Sequence, residues 1–135
     1  MVSKMGRKDF FHMNDLNLSR RLVASKNWIW KKRMRTNAGI IVDMISQSDI
    51  MLFDEKTSSV SFKNPNSDGV LPDLGDKQTL QIILEALRDR LGKPNWEPQQ
   101  IYHDPTPDWI IDPPSADRQV LYGSYISALV EAFCR

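Results

Sequence analysis

The side chains with the most chemistry to offer lie close together near the start of the chain. Arg20, Arg21, Lys26, Trp28, Trp30, Lys31, Lys32, Arg33 and Arg35 mix cations with indole rings over residues 20–35. Lys and Arg neutralise phosphates while Trp stacks on exposed bases, so the mixture suits nucleic acid. The same cations also suit a protein partner with an acidic face. A third reading puts both tryptophans in the core and leaves the cations as the solvated flank of an extended segment. The residues alone leave all three open.

Other chemistry is sparse. His103, Asp104 and Asp108 are the best metal-binding or hydrolytic candidates, but their spacing matches no established ligand motif. Solvated loop residues explain them, and His12 stands far away in the chain. Nucleophilic catalysis needs an activated Ser, Cys or Thr beside a base, and no G-x-S-x-G is present. The six glycines are scattered rather than gathered into a phosphate-binding loop. The expectation is a non-enzymatic protein without a metal or other cofactor.

Composition bounds the class. Apolar residues make up 41% and charged residues 26% of 135 residues, which fits one ordinary globular domain rather than a disordered chain. The single cysteine, Cys134, excludes an internal disulfide and suits a reducing cytoplasm. No apolar run reaches the roughly 20 residues of a membrane span, and no secretory h-region follows Lys4, Arg7 and Lys8. Residues 1–14 read as a disordered leader and residues 15–135 as a single domain. The overall charge of +1 hides a split. Residues 1–35 hold ten Lys and Arg against Asp9 and Asp15, and the remainder holds eight against fifteen Asp and Glu. Such asymmetry points to an interaction surface.

The elements that must position the basic segment follow from periodicity. Leu18 and Leu22, four apart, predict a short helix from about Leu16 to Ser25. Trp28 and Trp30, two apart, fall on one face of an extended stretch. Asn37-Ala38-Gly39 reads as a turn. Ile40–Val42, Ile50–Phe53 and Val60–Phe62, separated by short polar linkers, predict a three-stranded antiparallel meander. Leu80, Ile83, Leu84, Leu87 and Leu91 trace one face of a central helix over about 77–91, with Asp76 as N-cap and Gly92 as terminator. The proline-rich stretch 95–115 allows a short strand at Trp109–Ile111 with Val120–Tyr122 as its hairpin partner. Ser124 caps a final helix over about 125–134, in preference to a start at Ser115 that would bury Gly123 inside the helix. The fold class is α+β.

Three segments together resemble a group of small uncharacterised proteins encoded by bacteriophages and prophages. They are Arg21-Leu22-Val23-Ala24 through Trp28, Trp30 and Met34-Arg35; Leu71-Pro72-Asp73-Leu74 through Thr79-Leu80 and Leu84 to Gly92; and Ser127-Ala128-Leu129-Val130-Glu131-Ala132. The pattern spans most of residues 20–133 and lapses between Asn95 and Asp117. The resemblance implies a phage or prophage accessory protein in a bacterial cytoplasm, and it carries over no activity and no site residue. The expected function is docking on a host or phage protein, for instance to inhibit a host defence system. Nucleic-acid binding through residues 20–35 is the alternative.

Overall fold

The computed structural model describes residues 15–101, 108–112 and 120–135. Helix α1 (Asp15–Ala24) leads into a four-stranded antiparallel sheet of β1 (Arg35–Thr36), β2 (Gly39–Ser46), β3 (Asp49–Asp54) and β4 (Ser59–Lys63). Its strands lie side by side in chain order. Helix α2 (Lys77–Leu91) follows, then a small sheet of β5 (Gln99–Ile101) and β6 (Asp108–Ile110), then helix α3 (Tyr125–Cys134). The α+β class is as the sequence implies. No helix among the described residues is long and apolar enough to cross a membrane. The expected leader, residues 1–14, lies outside the described residues.

One core joins the helices to the inner face of the sheet. Leu18 and Leu22 of α1, Ile41, Ile50 and Leu52 of the sheet, Ile83, Leu84 and Leu87 of α2, and Leu129, Val130 and Phe133 of α3 form a single buried cluster. Trp30 and Met34 enter it from the segment between α1 and β1. Helix α3 is buried on nearly every side because Ser127, Ala128 and Ala132 are small enough to admit close neighbours.

Local chemistry sets the boundaries. The Asp76 carboxylate accepts from the Thr79 backbone N–H at 3.0 Å and from the Thr79 hydroxyl at 2.8 Å. Gly92 ends α2 in the left-handed region at φ 68°, its N–H returning to Arg88 and Asp89 carbonyls. Ser124 caps α3 by accepting from Ser127 N–H at 3.1 Å, so the helix starts after Gly123. Gly39, which closes the β1–β2 turn, has φ 135°, and a Cβ there would stand 2.4 Å from the Phe53 carbonyl oxygen. The close approach of β2 to β3 therefore requires glycine.

Three details depart from the sequence reading. A short strand, β1, precedes the turn at Asn37, and the stretch Leu71–Asp73 lies along it. Asn37 N–H donates to Leu71 O, Asp73 N–H donates to Arg35 O, and Thr36 bridges Pro72. Second, β6 pairs chiefly with β5 rather than with the 120–122 segment. Trp109 and Tyr122 still exchange two backbone hydrogen bonds, at 2.8 and 2.9 Å. Third, Leu91 is largely exposed although it continues the apolar face of α2. It sits at the last position of the helix, next to the Gly92 stop.

Candidate interaction surfaces

The fold separates the nine basic and aromatic candidates into different environments. Trp30 is 4% exposed and lies in the core, so its ring is unavailable as a stacking platform for a base. The Gln47 side chain fixes its backbone, accepting from Trp30 N–H at 2.9 Å and donating to Trp30 O at 3.1 Å. Trp28 is half-buried. It meets Trp30 edge to face at a centroid distance of 5.2 Å and Phe133 at 5.9 Å. Both indoles thus turn toward the core, on the shared side that their spacing allows.

Two of the cations are already engaged. Arg21 pairs with Glu131 of α3. Arg35 donates to Glu55 at 2.6 Å and lies 3.7 Å from Asp76, and the hydrogen bond and charge of Glu55 push its pKa up further. Arg20, Lys26, Lys31, Lys32 and Arg33 are exposed and form no ion pair among the described residues. Lys31–Met34 makes a tight turn in which Arg33 adopts φ 73° and donates its N–H to Ile41 O at 2.8 Å. That turn presents Lys31, Lys32 and Arg33 together to solvent.

Beside this segment lies a partly open hollow of about 190 Å³. Asn27, Trp28, Ile29 and Met34 form one side, Ile83, Ala86 and Arg90 of α2 another, and Phe133 of α3 a third. Arg90 donates to the carbonyls of Phe133 at 2.8 Å and Ala132 at 3.3 Å, and its guanidinium stands 5.0 Å from the Phe133 ring centroid. No carboxylate among the described residues pairs with it.

A second surface escapes the sequence reading altogether. Register places Phe62 opposite Met51, Val60 opposite Phe53 and Phe53 opposite Ile40. Leu52 and Ile50, which face the core, stand opposite Ser61 and Lys63. Opposed residues in an antiparallel pair share a face, so the register fixes which way the alternation of β4 faces. Its serines and lysine lie on the core side and its apolar residues point away. Phe62 is 62% and Val60 53% exposed, and Ile40, Met51 and Phe53 beside them lie outside the core cluster. Val42 and Ile45, at the two irregularities of β2, are also exposed. Beyond its pairing with β3, β4 makes no further backbone bond among the described residues, whereas the 71–73 stretch covers the β1 edge. The exposed side of the sheet therefore carries an apolar patch, flanked by Arg35 opposite Ile40 and Asp43 opposite Met51, and bordered by an edge that is open among the described residues. The sequence signal was the V-S-F alternation itself, which is identical for a strand facing either way.

The other candidates yield less. His12, His103 and Asp104 lie outside the described residues. Asp108 belongs to β6, and among the described residues no three His, Cys, Asp or Glu side chains gather as metal ligands. Cys134 is half-buried, and burial raises its thiol pKa. Comparison with protein-family models, with curated proteins and with solved structures returned no match.

Proposed function

We propose that the chain is a non-enzymatic accessory protein that acts by binding a protein partner, and that the outer face of the β2–β4 sheet is its main docking surface. The observation that carries this reading is the exposure of Val60 and Phe62 in register with Met51 and Phe53. Covering such a surface releases on the order of 25 cal/mol per Å² of apolar area, and large exposed apolar patches mark interaction sites. The outer edge of β4, which makes no backbone bond beyond β3 among the described residues, adds main-chain groups that an extended partner segment can take up. A phage or prophage setting, in which the partner is a host protein such as a defence component, rests on the resemblance of the three sequence segments described above.

Nucleic-acid binding is the second reading, favoured by the exposed Lys31-Lys32-Arg33 turn, which forms no ion pair among the described residues. The two separate by affinity capture of the tagged protein from host lysate, with and without nuclease. The protein-binding reading predicts a stoichiometric protein that survives nuclease and is lost when Phe62→Lys is the bait. Capture of nucleic acid alone, released by nuclease or added salt, supports the second reading and defeats the first.

A further inference from the structure

The hollow beside Trp28 is a surface distinct from the sheet face, and its lining has a definite chemistry. We infer that it receives one bulky apolar side chain of an acidic peptide segment. The inference rests on the protein-binding reading above but concerns a different surface.

Size decides between ligand types. Pockets for cofactors and drug-sized molecules run to about 300–1,000 Å³, whereas a cavity of about 150 Å³ holds a benzene-sized group. At about 190 Å³ the hollow has room for a single Phe or Leu side chain, and a nucleotide or cofactor would have to lie mostly outside it. Its walls match such an occupant. Trp28 and Phe133 offer aromatic surface, Ile83 and Ala86 line the floor along one side of α2, and Ile29 at the rim is 51% exposed.

Charge decides what flanks the anchor. Arg90 lines the hollow and meets only neutral carbonyls and a ring face among the described residues. Lys31 and Lys32 are exposed and directly follow the 27–30 stretch in the chain. A segment bearing carboxylates on either side of its apolar residue would be attracted by Arg90 in the lining and by the exposed cations that follow Trp30 in the chain, while a basic segment would be repelled. A base inserted from single-stranded nucleic acid is disfavoured, because its polar edges would be left short of partners against a lining that is mostly apolar.

The probe peptides are acetyl-Glu-Asp-Phe-Asp-Glu-amide, the same sequence with Ala for Phe, and acetyl-Lys-Lys-Phe-Lys-Lys-amide. Binding is followed by amide and indole chemical shifts of the labelled full chain at low salt. The acidic Phe peptide is expected to shift Trp28, Ile83 and Ala86, to bind at least about tenfold tighter than either control, and to weaken as salt is added. Ala86→Leu, which fills the hollow, removes the binding while the melting temperature holds. Lys31→Glu with Lys32→Glu, both on the surface, weakens it without a packing change. Equal binding of the Ala or the Lys peptide overturns the inference, as does an absence of shifts around Trp28. So does an oligonucleotide that shifts the same resonances while the acidic Phe peptide shifts none. Phe62 plays no part in this test, so its failure leaves the sheet-face reading standing.

Discussion

Single side chains show where the fold tolerates tension. Trp28 Nε1 is buried without a hydrogen-bond partner among the described residues. An unsatisfied buried donor costs about 1–3 kcal/mol, while the ring contributes through its contacts with Trp30 and Phe133. Trp28→Phe keeps an aromatic ring and removes the donor, so its melting temperature should equal or exceed that of the parent, and thermal unfolding checks this. Tyr125 is titratable in a useful window. Burial, and then the neighbouring Glu97 carboxylate, push its hydroxyl up to about 12, above the value near 10 of an unfolded chain. Between those values the unfolded chain releases a proton that the folded one keeps, so stability falls as pH rises through the window. Unfolding curves from pH 9 to 12 should show that decline, and Tyr125→Phe should flatten it.

Helix and strand existence was the legible part of this sequence, because each rests on local chemistry. The Leu80–Leu87 periodicity, the Asp76 and Ser124 caps and the Gly92 stop correspond to α2 and α3 as built. Asp76→Ala removes the bonds to Thr79 and the charge near Arg35. It should cost about 1–2 kcal/mol in denaturant unfolding, and a change below a few tenths would show the cap to be dispensable. Strand partners were harder to read. Gln99–Ile101 carries two glutamines and one isoleucine between prolines, and only its pairing with β6 makes it a strand. The 71–73 stretch likewise gains its extended form from the hydrogen bonds to Asn37 and Arg35. No local propensity encodes those long-range bonds.

For the molecule as a whole, the question is which surface meets a partner. The sequence marks the basic segment, and the fold divides it. Trp30 goes to the core, Arg21 and Arg35 to carboxylates, and Trp28 to the wall of a hollow, while Lys31–Arg33 stay at the surface. The outer sheet face could not be read in advance because strand alternation fixes two faces without saying which one is inside. Only the register of β4 against β3 reveals that Val60 and Phe62 look outward. The most direct test of the protein-binding account is amide hydrogen exchange of the labelled chain alone and with its captured partner. The account predicts new protection along β4, residues 59–63, and the adjoining β3 amides. Unchanged exchange there, with protection confined to residues 26–35, would contradict it.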